Sequence, residues 1–164
     1  MRRPRKPDAE AGEADERTVR TAALALLAGR DFARLELARR LERRGYPPQV
    51  VATVVAGLVA ERLLSESRFL EQFIRQHAGR GHGPVRIRMD LRERGVADEE
   101  IDAALAAATE DWAAIARDTR RRRFGVSPPG DYRERARQAR FLQYRGFSPD
   151  QIRAALGPGD DIEP

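Results

Sequence analysis

Residue types that build reactive or cross-linked sites are scarce in this 164-residue chain. It has no cysteine, which excludes disulfides and thiolate metal sites and is typical of a reducing compartment. Its two histidines, His77 and His82, stand five residues apart, which is poor spacing for one helical face, and we predict no metal site. No serine or histidine suggests a nucleophile with its base. We therefore predict no catalytic residue and no cofactor.

Long apolar runs are also missing. No stretch is long enough to span a membrane, and the N-terminal residues are charged where a signal peptide requires an apolar core. We expect a cytoplasmic protein, monomeric and without a membrane partner.

Lysine is almost absent, and the positive charge is carried by arginine. Lys6 is the only lysine among 31 basic residues, and the net charge is +5. The charge is arranged in blocks, since residues 68–94 and 111–145 are rich in arginine whereas residues 95–110 contain acids and no base. This alternation predicts a basic surface rather than an even mixture of charges.

A short motif occurs three times along the chain. Leu, two further residues, Arg, Gly and an apolar residue recur with glycines at Gly45, Gly95 and Gly146, a period of about 50 residues. A glycine just past a helix adopts the left-handed conformation, and the residues flanking this turn, Leu and Tyr, Val or Phe, come into apolar contact. The motif therefore predicts three helix ends of one kind.

Each glycine is followed by another amphipathic helix, so the chain predicts an all-α array of three tandem three-helix repeats. Apolar residues recur at fixed offsets after the glycine, and Ser148 with Pro149 is the clearest helix start. We expect Val85 and Met89 to face the core, and Asp98, Glu99, Glu100 and Asp102 to favour a helix N-terminus. The predicted divisions are a disordered tail (1–16), repeats 17–64, 65–108 and 109–156, and an acidic tail (157–164).

The glycine-rich loop at residues 79–83 resembles a phosphate cradle only in composition. It follows a helix instead of a strand and lacks the Gly-Lys-Ser/Thr ending, so a hinge between helices is the preferred interpretation. Arg80 and the next helix N-terminus could still contact a backbone phosphate.

Three segments in order resemble the RecX family of bacterial recombination regulators. They are LVAERLLSESRF at 58–69, GPVRIRMDLRERGV at 83–96 and FLQYRGF at 141–147, within a resemblance that covers residues 20–156. The resemblance implies an elongated, curved array of three-helix repeats. It also implies a non-enzymatic regulator that binds RecA filaments on single-stranded DNA. Such a regulator inhibits ATP turnover, strand exchange or filament growth, and so limits recombination and the SOS response, which are processes of DNA repair.

Candidate contact residues follow from the arginine-rich blocks, because arginine suits both carboxylates and phosphates. The predicted set is Arg68, Arg75, Arg80, Arg86, Arg88, Arg92, Arg120, Arg121, Arg122, Arg123, Arg133, Arg137 and Arg140. Two other functions stay open at this point. One is a helical module that binds single- or double-stranded DNA directly, and the other is a scaffold for an unrelated protein.

Overall fold

The computed structural model describes the backbone of residues 7–158 and the side chains of residues 15–158. Over this range the protein consists of nine α-helices and contains no strand, which confirms the all-α prediction. The helices are α1 (Pro7–Gly29), α2 (Arg34–Glu42), α3 (Pro48–Ala60), α4 (Glu66–Gly79), α5 (Pro84–Glu93), α6 (Asp98–Ala107), α7 (Trp112–Phe124), α8 (Tyr132–Tyr144) and α9 (Pro149–Leu156). None of these helices is long and apolar enough to cross a membrane.

The first helix begins ten residues earlier than the sequence predicted. Residues 7–16, expected to be part of a disordered tail, are helical. Pro7 at the first position is compatible with a helix start. Residues 1–6 and 159–164, the remainder of both predicted tails, lie outside the described residues.

The repeated glycines end helices as predicted. Gly45, Gly95 and Gly146 have φ of 93°, 81° and 90°, in the left-handed region. After α2 the amide of Tyr46 donates to the carbonyl of Leu41 at 3.4 Å, and after α8 the amide of Phe147 donates to that of Leu142 at 3.1 Å. These are the six-to-one hydrogen bonds of a Schellman turn.

The chain divides into two compact units, each with its own core. Unit 1 contains residues up to Leu70 together with Arg94–Val96, and unit 2 contains Glu71–Glu93 and the residues from Ala97 onward. In unit 1, α3 packs against α1 and α2. Its Val51, Val54 and Leu58 are buried, as expected for a helix rich in β-branched residues that must be held by packing.

In unit 2, α7, α8 and α9 pack on one another and α5 packs on α6. Ile87 and Leu91 are the buried side chains of α5, whereas Val85 and Met89 are about half exposed, at 48% and 56%. The expectation that Val85 and Met89 face the core is therefore wrong. Val85 with Met89 and Ile87 with Leu91 are both pairs at helical spacing. Leu91 belongs to the repeated motif and is buried, so Ile87, one turn before it, is the residue that shares its buried face.

Side-chain caps fix several helix starts. Ser148 accepts from the amide of Gln151 while the Gln151 side chain accepts from the amide of Ser148, which confirms the predicted cap as a complete capping box. The side chains of Asp111 and Asp131 cap α7 and α8 by accepting from the amides of Ala114 and Glu134, without the reciprocal bond of a capping box. These caps set where the arginine-rich helices α7 and α8 begin.

Candidate functional site

Four arginines of unit 2 line one open cavity of about 390 Å³. The complete lining is Arg80, Gly81, Thr119, Arg122, Arg123, Phe141 and Arg145. None of these residues is acidic, and among residues 15–158 none of the four arginines forms an ion pair. The cavity therefore gathers positive charge without a carboxylate to neutralise it, an arrangement that suits an anionic ligand.

Three elements bring these arginines together. Arg80 directly follows α4, Arg122 and Arg123 lie in the last turn of α7, and Arg145 caps the C-terminus of α8. Gly81, with φ of 77°, holds the loop so close to α7 that an added Cβ would lie 2.6 Å from the hydroxyl oxygen of Thr119. Only glycine combines this conformation with this approach.

Aromatic rings lie among the arginines at the same surface. Phe124 and Phe141 pack edge to face with ring centroids 5.2 Å apart. The Arg145 guanidinium lies 5.6 Å from the Phe141 centroid, and that of Arg137 lies 5.3 Å from the Phe124 centroid. Such cation–π contacts hold the guanidinium groups in place, and the guanidinium of Arg137 also donates to Glu134 at 2.9 Å.

Arg145 belongs to the third copy of the repeated motif, and Gly146 beside it packs tightly on the start of α5. A Cβ at Gly146 would lie 2.5 Å from the amide nitrogen of Arg86 and 2.9 Å from its Cα. The Arg145 carbonyl accepts from the amide of Gly83 at 2.8 Å, and the Gly146 carbonyl accepts from that of Val85 at 3.0 Å. We call this contact joint 2.

The second copy of the motif forms an equivalent joint in unit 1, here called joint 1. A Cβ at Gly95 would lie 3.0 Å from Cγ of Leu35, near the start of α2. The neighbouring Arg94 donates to Glu36 at 2.6 Å, and Arg30 donates to the same carboxylate at 2.7 Å. Burial acts to raise the pKa of Glu36, but the hydrogen bond from Arg30 and the charges of Arg30 and Arg94 lower it below its usual value.

The two joints differ in the residue that faces the motif arginine. By the spacing of the repeat, Arg86 stands in α5 where Glu36 stands in α2. Within residues 15–158, the buried side-chain nitrogens and oxygens that lack a hydrogen-bond partner are Nε of Arg86 and Nε of Arg145. Joint 1 is thus a closed ion pair, whereas joint 2 has two guanidinium groups with unused donors.

The other predicted arginines of α5 have carboxylate partners. Arg92 donates to Asp98 at 2.5 Å and 3.0 Å, which lowers the pKa of Asp98. Arg88 pairs with Asp102. Asp98 and Asp102 of α6 therefore neutralise Arg92 and Arg88 of α5. The acids of the first turn of α6 also lie where the helix dipole favours negative charge, as predicted.

Arg120 requires a correction. It was predicted as an exposed contact residue within the run from Arg120 to Arg123, but its side chain is only 4% exposed. Its Nε donates to Gln138 at 2.8 Å, and it also donates to the carbonyl of Ser127. Arg120 is buried because it lies on the face of α7 that packs against α8, and it therefore stabilises the fold. Of the four consecutive arginines, only Arg121, Arg122 and Arg123 are exposed.

The remaining predicted residues are dispersed. Arg68, in unit 1, approaches Asp31 at 3.5 Å, and Arg137 pairs with Glu134 at 2.9 Å. Arg75, Arg133 and Arg140 are exposed in unit 2 and do not line the cavity. The cavity is thus lined by three of the predicted arginines and by Arg145, which is not among them.

The sequence marks Arg145 as the arginine of the third motif copy. That it lacks a carboxylate partner follows only once the structure pairs Arg94 with Glu36, because the counterpart of Glu36 in the next repeat is Arg86. Phe141, treated with the other phenylalanines as a core residue, is only half-buried beside the cavity. No spacing rule separates it from the buried Leu142 that follows it.

A cavity in unit 1 is lined by a balanced mixture of charges. Its volume is about 460 Å³, and both signs of charge line it, with Arg20 paired to Glu61 at 2.6 Å. Because its charges are matched, it offers no net attraction to an anion. The cavity in unit 2 is therefore the candidate functional site.

Three family models match the chain in succession. They describe the first, second and third three-helix domains of RecX and match residues 20–58, 65–105 and 109–156. The chain belongs to the RecX family. The resemblance stated from the three sequence segments is confirmed, and the cavity, with Arg122, Arg123 and Arg145 in the third domain, lies within the matched region.

Similar proteins extend over most of the chain. A protein named regulatory protein RecX from Halorhodospira halophila is 54% identical over 152 residues, covering 93% of this chain and 94% of that protein. Another of the same name from Pseudomonas fluorescens is 46% identical over 144 residues, covering 87% and 93%. The family assignment therefore applies to the whole described fold.

Solved structures agree on the fold. A crystal structure of regulatory protein RecX superposes with a TM-score of 0.75 at 20% identity, covering 94% of this chain and 80% of that one. The structure of RecX from Lactobacillus salivarius gives 0.72 at 21% identity, covering 88% and 96%. At such identities these structures support the arrangement of helices and say nothing about individual site residues.

Proposed function

We propose that this protein regulates the RecA recombinase by binding its filament on single-stranded DNA in the cytoplasm. Bound there, it inhibits ATP hydrolysis, strand exchange or filament growth, and so limits recombination and the SOS response. Membership of the RecX family, over three successive domains, is the observation that carries the proposal. The protein performs no chemistry itself and acts as a monomer.

The cavity in unit 2 supplies the contact surface of this proposal. A nucleoprotein filament presents phosphates and carboxylates, and arginine binds both through paired N–H donors. Arg80, Arg122, Arg123 and Arg145 converge there without an acidic neighbour in the lining. Arg88 and Arg92, already paired, contribute less, because a filament would have to displace Asp102 and Asp98.

Regulation of this kind requires selective binding. A ligand shifts a conformational equilibrium only by its difference in affinity for the two states. We therefore expect the protein to bind the inactive or non-growing state of the filament more tightly than its active or growing state.

Steady-state ATP hydrolysis by the cognate RecA on single-stranded DNA tests the proposal, with this protein titrated in. We expect inhibition at protein concentrations far below that of DNA sites. No inhibition at any concentration would contradict the proposal. The control is binding to the same DNA without RecA, at the same salt concentration.

Direct binding to nucleic acid is the second candidate function, favoured by the rings of Phe124 and Phe141 among the arginines. Base stacking on aromatic side chains beside positive charge is how many proteins bind single strands. This alternative predicts tight binding to naked DNA that falls steeply with salt. It also predicts inhibition of RecA only when the protein coats the DNA.

A further inference from the structure

The end of α4 brings both histidines of the chain together with an aspartate. Nδ1 of His77 lies 3.1 Å from Nδ1 of His82 and 3.6 Å from Oδ2 of Asp90. One ligand atom from each residue lies within 4.8 Å of the others. All three residues are half-buried and belong to unit 2.

The backbone explains why a five-residue spacing brings two histidines into contact. The amide of His82 donates to the carbonyl of His77 at 3.0 Å, and that of Gly81 donates to Ala78 at 2.9 Å, with Gly81 at φ of 77°. This is the same Schellman turn that follows α2 and α8. A Schellman turn brings its first and sixth residues into contact. These two residues are apolar after α2 and α8, whereas after α4 they are His77 and His82.

The five-residue spacing is poor for one helical face, and for that reason among others the sequence predicts no metal site. Spacing on a helix is the wrong test, because His82 lies beyond the helix end, where the chain folds back. The glycine rule that identified the three repeated turns also applies to Gly81, and it could have paired the two histidines.

We infer that His77, His82 and Asp90 form a binding site for a divalent transition-metal ion of the Zn²⁺ class. Imidazole and carboxylate are ligands that Zn²⁺ accepts, and three protein ligands with an open fourth position are a common set. Donor atoms bound to one tetrahedral Zn²⁺ at about 2.0–2.1 Å lie roughly 3.3–3.4 Å apart. The two measured separations, 3.1 Å and 3.6 Å, lie on either side of that value.

The surroundings both support and oppose a cation. Phe73 stacks on His77 with centroids 3.9 Å apart, which fixes the ring that must present Nδ1. Arg86 approaches Asp90 at 3.9 Å and would have to give up this contact. Positive charge from Arg80 and Arg145 also reaches His82, so we expect moderate affinity. A bound ion would tie α5 to the loop that carries Arg80.

Titration of the metal-free full-length chain with Co²⁺ tests the inference, followed by displacement with Zn²⁺. We expect saturable one-to-one binding with the visible d–d absorption of low-symmetry cobalt, because the chain has no cysteine and no other histidine to compete. Asp90→Asn should weaken binding by at least about tenfold, and His82→Ala should abolish it. Asp98→Asn, an aspartate outside the cluster, is the matched control and should bind normally.

Two results would overturn the inference. One is the absence of saturable binding by either metal, which would leave the three residues as a hydrogen-bonded group. The other is binding that persists unchanged in Asp90→Asn and His82→Ala. If a variant fails to fold, the imidazole NMR signals of the wild-type histidines decide. Both must shift with one equivalent of Zn²⁺, and unmoved signals would overturn the site.

Discussion

Joints 1 and 2 are built from the same motif, but the motif arginine has a carboxylate partner in joint 1 and none in joint 2. In both, a glycine with positive φ packs against the start of an earlier helix and places an arginine beside it. In joint 1 that arginine, Arg94, meets Glu36, whereas in joint 2 Arg145 has Arg86 at the equivalent position and faces the open cavity. A single change of sign thus separates a structural ion pair from an arginine that has no carboxylate beside it in the cavity lining.

The comparison also explains why counting arginines predicts function poorly. Thirteen predicted contact residues differ in burial and pairing, and Arg120 is buried in the fold. What distinguishes the cavity arginines is the lack of a carboxylate in their lining. Substitutions in either joint should therefore distinguish the contribution of close packing to stability from the contribution of charge to filament binding.

The largest expected effect comes from Gly146→Ala. Its Cβ would clash with the backbone of Arg86, which cannot rotate away as a side chain can, and its φ of 90° disfavours alanine. We expect a loss of about 4 kcal/mol or more in the free energy of unfolding, measured by urea denaturation.

Gly45→Ala is the matched control, since Gly45 has φ of 93° but no atom within 4 Å of an added Cβ. Only the backbone strain applies there, and we expect a loss of about 1 kcal/mol. Equal losses in the two variants would show that joint 2 is not tightly packed.

Gly95→Ala should have an intermediate effect. The added Cβ meets the side chain of Leu35, which is 42% exposed and can move aside. We expect a loss of about 2 kcal/mol, from backbone strain and partial repacking. The same urea denaturation measures it, and a loss as large as that of Gly146→Ala would contradict the distinction between the two joints.

Arg86→Glu should convert joint 2 into a copy of joint 1. A carboxylate at this position can pair with Arg145 as Glu36 pairs with Arg94, which removes donors from the cavity. We expect affinity for the RecA filament to fall about tenfold, measured as the concentration needed for half-maximal inhibition of ATP hydrolysis. Arg86→Gln removes the charge without adding an acid and should have a smaller effect. Equal effects would argue against an ion pair with Arg145.

The smallest expected effect is that of Arg92→Gln. Arg92 is exposed and already paired with Asp98, so its loss removes a surface ion pair of little consequence. We expect inhibition of RecA and the melting temperature to stay at wild-type values within error. A clear loss of inhibition would return α5 to the contact surface predicted from the sequence.

The sequence predicted the helices and their glycine ends well because these depend on local rules. Gly45, Ser148 and Leu91 act through turn conformation, capping and periodicity, all of which can be recognised in a single segment. The ion pairs between arginine and acidic side chains could not be predicted from local rules. That Arg92 meets Asp98 while Arg145 meets no acid depends on which helices lie side by side.

Burial and contacts between separate helices were also beyond local rules. Arg120 looks like Arg121 in sequence, and only the position of α8 buries it. His77 and His82 come together because a turn follows α4, and Asp90 joins them because α5 runs back past that turn. Arg120 and Asp90 have their partners in another element, whereas the glycine rule at Gly81 is enough to pair His77 with His82.

One measurement tests the central claim, that the cavity arginines of unit 2 contact the filament. RecA ATP hydrolysis on single-stranded DNA is titrated with the triple variant Arg80→Glu, Arg122→Glu and Arg123→Glu. Its control carries the same change in net charge on exposed residues of unit 1, as Arg39→Glu, Arg40→Glu and Arg43→Glu. We predict that the cavity variant loses inhibition while the control retains most of it. Equal inhibition by both variants would contradict the claim.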